Sequence, residues 1–181
     1  MSTVKTTNIT HGSNSGTNNI ILDDTGKVSI ATKKLYCPGT IIQVQYGFHD
    51  TEQNPSGNTT WTDVGPTASI TPTANTSKIK VTANASCAIE DHNAIKVKIV
   101  RTKGGVATDV CQHNSYSTDS AENNYLVSMI TVDDPYSGSG TVGQLDYKIQ
   151  IYVGTNYGQC WFNFSDGGTN RAILLLEEIA G

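Results

Sequence analysis

Charged residues are scarce in this sequence, and the way they are spread excludes several classes of protein. Only 15% of the residues are Asp, Glu, Lys or Arg, and the net charge of −4 comes without a cluster of Lys or Arg. Nucleic-acid binding depends on such basic clusters, so nucleic acid is not expected as a partner. No run of 18 apolar residues exists, which argues against membrane insertion. The first residues lack the apolar segment of a secretory signal.

Closely spaced cysteines are also missing. Cys37, Cys87, Cys111 and Cys160 form no CxxC pair, so a zinc site is not expected. Without a secretory signal, we interpret them as buried thiols rather than disulfides. The sequence predicts no metal and no cofactor.

Polar and β-branched residues are abundant in the chain. Thr, Ser and Asn number 24, 15 and 15, a composition that suits strands and turns and disfavours helix interiors. Residues 1–18 are polar and without periodicity, and residues 19–30 show one short hairpin pattern. We therefore expect an N-terminal arm at 1–37 and a single all-β domain at 38–181.

Alternation of apolar and polar residues defines the two most regular strands, at 78–87 and 144–153. A period of two places alternate residues on one face of a strand. The predicted inward sets are Ile79, Val81, Ala83, Ala85 and Cys87, and Leu145, Tyr147, Ile149, Ile151 and Val153. Each strand needs a second apolar layer, so the fold class is a jelly-roll-like antiparallel β-sandwich.

The remaining strands are weaker predictions. Residues 40–48 read as a strand with Ile42, Val44, Tyr46 and Phe48 inward. Residues 125–132 are apolar on both parities, and we expect both of their faces to be covered. Further strands are expected at 59–64, 68–71, 94–101, 106–110, 159–164 and 170–179, with 111–124 as a long polar loop.

No residue pattern indicates catalysis. Cys111 and His113 are the nearest nucleophile and base, two residues apart beside a polar loop, and no nucleophile elbow, HExxH helix or phosphate loop is present. Glu177 and Glu178 are adjacent, so on a strand they face opposite ways. We expect the protein not to be an enzyme.

Binding is better supported, through polar loops that carry tyrosines. Tyr116, Tyr136 and Tyr157 lie in loops at 112–124, 133–143 and 154–158, and His113 borders the first. Such loops on a rigid sandwich suit recognition, including that of a host-surface glycan. The alternative is that each tyrosine anchors only its own loop.

Self-association is a further expectation. The apolar run near the C-terminus and the two-faced strand at 125–132 exceed what one inner face needs, and an exposed apolar face requires a neighbour. We predict a homo-oligomer, preferably a trimer, with Leu174 and Leu176 as candidate contacts.

Several motifs resemble, in order and spacing, the C-terminal β domain of bacteriophage tail-fibre and minor virion structural proteins. The segments that carry the resemblance are PGTIIQV (38–44), ITPTANTSKIKV (70–81), YKIQIYV (147–153) and ILLLEEIA (173–180), with NIILDDTGKVSI (19–30) similar to an element that precedes such domains. The resemblance implies a homotrimeric, non-enzymatic protein on the virion surface, made in the host cytoplasm.

Three roles follow from these expectations. The first is a short tail fibre or receptor-binding protein, tethered to other virion proteins through residues 1–37. The second is a capsid decoration or head-fibre protein. The third is a carbohydrate-binding module, which is disfavoured because no secretory signal or catalytic partner is recognised. The resemblance supplies no catalytic residues.

Overall fold

The computed structural model describes residues 38–55, 59–89, 94–116, 123–154, 160–164 and 170–181, and the backbone of 8–9, 20–22 and 28–30. All regular structure in these ranges is β-strand. The chain divides into two compact units, residues 1–37 and 38–181.

The first unit contains one small antiparallel sheet. Its strands are β1 (Asn8–Ile9), β2 (Ile20–Leu22) and β3 (Val28–Ile30), in the order β1-β2-β3. Ile20 pairs with Ile30 and Leu22 with Val28. The hairpin predicted at 19–30 is therefore confirmed in its two strands.

The second unit is an antiparallel β-sandwich of nine strands among the described residues. They are β4 (Ile41–His49), β5 (Thr62–Ile70), β6 (Lys78–Ile89), β7 (Ala94–Lys103), β8 (Val106–Tyr116), β9 (Asn123–Asp133), β10 (Leu145–Val153), β11 (Cys160–Phe162) and β12 (Ala172–Ile179).

The pairing of the eight long strands is nested. β4 pairs with β12, β5 with β10, β6 with β9 and β7 with β8, all antiparallel. Pairings of β12 with β6 and of β10 with β7 join these into two sheets. The first long strand pairs with the last, the second with the second-last, and so on inward, which is the topology of a jelly roll. The predicted fold class is therefore confirmed.

We call the sheet β4-β12-β6-β9 sheet I and the sheet β5-β10-β7-β8 sheet II. The short β11 extends sheet I beside the last residues of β6. The core lies between the two sheets, and the inward sets predicted for 78–87 and 145–153 are all buried. Tyr147 and Phe162 are the largest fully buried side chains.

Strand β5 is continuous where two short strands were expected. Gly65 and Pro66 form a bulge, because Thr67 pairs with Lys148 while Val64 already pairs with Ile149. A bulge on an edge strand is one of the few sheet positions that tolerate proline. Gly65 has a φ of +66°, and a Cβ there would lie 2.5 Å from the Phe162 ring.

Strand β4 presents the opposite face from the one predicted. Val44, Tyr46 and Phe48 are exposed, whereas Gly47 lies against the backbone of β5. A Cβ on Gly47 would come within 2.0 Å of the Thr67 carbonyl oxygen, so the sheets approach too closely at this edge to bury large side chains. The prediction that Val44, Tyr46 and Phe48 point inward is therefore wrong, and Ile42, the fourth residue of that set, is half-buried.

The described strands begin and finish at two opposite ends of the sandwich. At the proximal end, where the chain enters from residue 37, Gly39 donates to the Ala180 carbonyl over 2.8 Å, and the β7–β8 and β9–β10 connections turn. At the distal end β6, β8 and β10 finish, and β7 and β9 begin.

Candidate functional site

The outer face of sheet I carries almost all of the exposed apolar surface. Nine large hydrophobic side chains are exposed among the described residues, and eight of them belong to β4, β9 and β12. Those eight are Ile41, Val44, Tyr46, Phe48, Leu126, Ile130, Val132 and Ile173. We call this surface the apolar face.

The strand registers align these side chains into rows across the sheet. In the central row, Leu175 of β12 lies beside Tyr46 of β4 on one side and Thr82 of β6 on the other, and Thr82 lies beside Ile130 of β9. This row crosses all four strands without a charge. Tyr46 is 68% exposed and Ile130 is 66% exposed.

Two patches stand out at opposite edges of the apolar face. The aromatic patch comprises Val44, Tyr46 and Phe48 of β4 with Ile173 of β12, and the aliphatic patch comprises Leu126, Ile130 and Val132 of β9. Strand β6 separates them with polar side chains. Its Lys80 forms a 2.6 Å ion pair with Glu177, so the one charged pair between the patches is neutralised in place.

The apolar face is large for one side of a small sheet. From side-chain size and exposure, its eight residues expose on the order of 800 Å², roughly 400 Å² in each patch. The largest apolar patch on a typical monomer is about 300–600 Å² and is often functional, and this face carries two patches of that size. Two such patches on one face indicate an interaction surface.

Sheet II has a different outer face, built from ion pairs and amides. Lys148 pairs with Asp63 over 2.9 Å, and Gln150 donates to the other oxygen of that carboxylate over 2.6 Å. Lys98 pairs with Asp109 over 2.8 Å. This face is therefore suited to water.

The aromatic residues of sheet II do not form a flat platform for a sugar ring. Trp61 and Tyr152 have ring centroids 5.8 Å apart and planes inclined by 55°. The ammonium groups of Lys98 and Lys96 lie over these two rings, at 4.3 and 5.3 Å from their centroids. The pair is better explained by cation–π stabilisation of the sheet than by stacking with a ligand.

A shallow cleft of about 270 Å³ opens between the two sheets beside β4. Amides and hydroxyls line it, from Gln43, Gln45, Ser69, Thr71 and Gln144. Gln43 is already engaged, because its Nε2 donates to Thr71 O over 2.7 Å and to Glu178 Oε2 over 2.6 Å.

Leu174 and Leu176, the predicted oligomer contacts, lie in the core. Both are 0% exposed, because the inward parity of β12 points between the sheets. The prediction of these two residues as contacts is wrong, and the outward neighbours Ile173 and Leu175 belong to the apolar face instead. The sequence showed that the C-terminal segment has more apolar residues than one buried face needs. It did not show which alternate residues of that strand point outward.

Tyr136 does not face outward as expected. It is 4% exposed, and its hydroxyl donates to the Gly143 carbonyl and accepts from the Gly143 amide, both over 2.8 Å. The Lys103 ammonium lies 3.9 Å from its ring centroid. Tyr136 therefore anchors the β9–β10 loop, which was the alternative considered for each of these tyrosines.

Of the other predicted loop residues, His113 is described in full and Tyr116 by its backbone alone. His113 is exposed on β8, opposite Val97, so it lies in a strand rather than beside a loop. The backbone of Tyr116 pairs with Ala94 at the end of β8, but its side chain is outside the described residues, as is Tyr157. Strand β8, whose last residue is Tyr116, and strand β10, which precedes Tyr157 in the chain, both finish at the distal end.

Cys111 does not have the properties of an activated nucleophile. The side chain is half-buried on β8, and burial raises the pKa of its thiol, whereas catalytic thiols have a lowered pKa. Cys87 and Cys160 are fully buried and form no disulfide, and burial raises the pKa of both, that of Cys160 to about 12. Over the described part of 38–181, no group of three or more His, Cys, Asp or Glu is placed to hold a metal ion.

The buried charges are held within the fold. The Arg101 guanidinium contacts both oxygens of Asp133, and the Tyr147 hydroxyl donates to the same carboxylate over 2.7 Å. Burial, together with the Asp133 charge, raises the pKa of Tyr147. This network joins β7 and β10 of sheet II to β9 of sheet I, and its polar groups bond to one another across the two sheets, so we assign it a structural role.

Comparison with known proteins adds no relative, since neither a family model nor a curated protein matches this chain. Among the described residues there is no helix with the length and apolarity needed to cross a membrane. The apolar face and the arrangement of the two ends of the sandwich are therefore the features that indicate a function.

Proposed function

We propose that this protein is a non-enzymatic structural protein of a bacteriophage virion, a short tail fibre or receptor-binding protein displayed as a homotrimer. The observation that carries the proposal is the apolar face, which runs along the whole length of sheet I on a small jelly roll. An isolated domain with this face would aggregate, whereas a trimer would bury it and leave the charged face of sheet II in water.

The arrangement of the two ends supports a displayed protein. The chain enters from residues 1–37 at the proximal end, beside the β9–β10 loop that Tyr136 anchors. The polar segments that follow β8 and β10 leave the opposite end. Residues 1–37 would then attach the trimer to other virion proteins, and the distal loops would face the host surface, with a glycan as the proposed ligand class.

Motif order provides the second line of support. The segments that resemble phage fibre domains correspond to β4, the β5–β6 connection, β10 and β12. In the fold, β12 is the central partner of β4 and β6, so three of the four segments meet in sheet I. Virion surface localisation is proposed on this basis.

Adsorption of the phage to its host tests the receptor-binding role. Purified protein, added to host cells before the phage, should occupy the receptor and lower the adsorption rate. The double variant Tyr116→Ala/Tyr157→Ala should lose this competition. The matched control is Thr141→Ala, an exposed residue of the proximal β9–β10 loop, which should compete like the unaltered protein.

Labelling of particles with a specific antibody separates the two virion roles. Label at the tail tip supports the fibre role. Label over the capsid, with no competition for adsorption, supports the decoration role in its place. Absence of the protein from purified particles would contradict both.

A further inference from the structure

We propose that the aromatic patch of one copy packs against the aliphatic patch of the next copy, so that three chains close into a ring through one repeated contact. This inference rests on the homotrimer of the proposed function. It adds which surfaces meet, and in which arrangement.

The separation of the two patches argues for such a head-to-tail contact. They occupy β4 and β9, the two edge strands of sheet I, and with three strand spacings between them they lie roughly 14 Å apart. In a two-fold dimer the two patches would pair twice across a single interface, whereas in a cyclic trimer each copy pairs one patch with each of its two neighbours. The apolar face provides both patches.

The chemistry of the patches is complementary. Tyr46 and Phe48 offer rigid rings, and Leu126, Ile130 and Val132 offer branched aliphatic side chains against which rings pack closely. Aromatic residues are enriched and charged residues depleted at the centres of protein interfaces. The phenolic hydroxyl of Tyr46 can keep its hydrogen bonds to water if it lies at the rim of the contact between the two copies.

The edge of the aromatic patch is already ordered. The Arg171 guanidinium lies 4.5 Å from the Phe48 ring centroid and forms an ion pair with Asp50 over 2.7 Å. These groups limit the aromatic patch toward the distal end, where a polar rim is expected. Val44 and Tyr46 remain open for a neighbour.

The area of the apolar face favours a second copy as the occupant. Each copy would use both patches at once, one with each neighbour. Each contact would then bury roughly 400 Å² of apolar surface per side, and ring closure would bury the whole apolar area of on the order of 800 Å² per chain. Residues 1–37 or a different virion protein are the other occupants, and a monomeric wild-type chain in the first experiment would favour them over a second copy.

The first experiment measures molar mass by light scattering on Tyr46→Lys and on Ile130→Lys. Each change removes one patch, so each variant should fall from three times 19.3 kDa to 19.3 kDa. The matched control is Val106→Lys, because Val106 is 68% exposed on β8, away from the apolar face. Its mass should not change. Circular dichroism of all three checks that the fold is retained.

The second experiment tests which patches meet. In a background with Cys37 and Cys111 replaced by Ser, Tyr46→Cys and Ile130→Cys chains are treated with a short bismaleimide. Either variant alone should give no covalent dimer, a mixture of the two should give dimers, and a chain with both changes should give covalent trimers.

Three outcomes would overturn the inference while leaving the trimer in place. They are trimeric Tyr46→Lys and Ile130→Lys variants, self-crosslinking of either single-cysteine variant, and a mixture that gives no dimers. A wild-type chain that is monomeric when soluble would instead overturn the homotrimer of the proposed function.

Discussion

Tyr46 and Ile130 lie in the same cross-strand row, at the two opposite edges of sheet I, with Leu175 and Thr82 between them. Both are more than 60% exposed in the single chain. The row carries no charge, and its two exposed ends belong to the two patches that we propose to meet in the assembled protein.

Leu174 provides the first prediction, because it separates core from interface. Leu174→Ala removes a fully buried side chain and should lower the free energy of unfolding by about 2–5 kcal/mol. Val106→Ala, the exposed control on β8, should change it by less than about 0.5 kcal/mol. Urea denaturation measures both. Equal small effects would mean that Leu174 is not in the core.

The second prediction concerns Gly47, which has no space for a side chain. Gly47→Ala places a Cβ 2.0 Å from the Thr67 carbonyl oxygen, so β4 must move away from β5. We expect a loss of about 1–3 kcal/mol, the usual effect of overpacking. Gly143→Ala is the control, since nothing lies within 4 Å of the new Cβ. Thermal denaturation of the two variants should differ clearly, and similar melting would contradict the close approach of the sheets.

Glu178 gives a prediction about pH. This buried carboxylate accepts hydrogen bonds from the Thr73 amide and hydroxyl over 2.7 and 2.8 Å and from Gln43 over 2.6 Å. Burial raises its pKa, but these hydrogen bonds outweigh burial and hold the pKa of Glu178 below its ordinary value of 4.5. The carboxylate therefore stabilises the fold above about pH 4.5, and the effect is lost as the pH falls through the lowered pKa.

Glu178→Gln should cost about 1–3 kcal/mol at pH 7 and progressively less below pH 4.5. The neighbouring Glu177→Gln is the matched control, because Glu177 points outward to Lys80. A surface ion pair of this kind contributes about 0–1 kcal/mol. Denaturation at several pH values measures both, and a Glu178→Gln penalty that grows toward acid would contradict the assigned role.

Tyr136 allows a prediction about the proximal loop. Tyr136→Phe removes the hydroxyl that both donates to and accepts from Gly143, so limited proteolysis should cut the loop at 134–143 faster. The loss of stability should be about 0.5–1.5 kcal/mol. Competition for phage adsorption should be unchanged. If the variant resists proteolysis like the unaltered protein but no longer competes for phage adsorption, Tyr136 would instead belong to the receptor-binding site.

The sequence predicted the parts of the fold in which pattern and environment agree. In β6 and β10 a strict alternation is matched by one buried face, so both inward sets are confirmed. The polar connections at the distal end were also recognisable, and β8 extends further into them, to Tyr116, than its composition suggests.

The apolar face was the part that the sequence could not orient. Contacts across the sandwich, such as Gly47 against Thr67, determine which alternate residues of β4 and β12 face the core. A local sequence pattern does not contain this information. Alternation in β4 is strong, but its apolar side is outside. The excess of apolar residues at 125–132 and 173–176 indicated a partner, and only the strand registers show that these residues share one surface with β4.

The most direct test of the central claim is the molar mass of the soluble protein by light scattering, measured with and without residues 1–37. We predict a stable trimer in both forms, at three times 19.3 kDa for the full chain, because the apolar face belongs to residues 38–181. A monomer only in the full-length form would identify residues 1–37 as the cover of that face. A monomer in both forms would contradict the homotrimer and the virion role built on it.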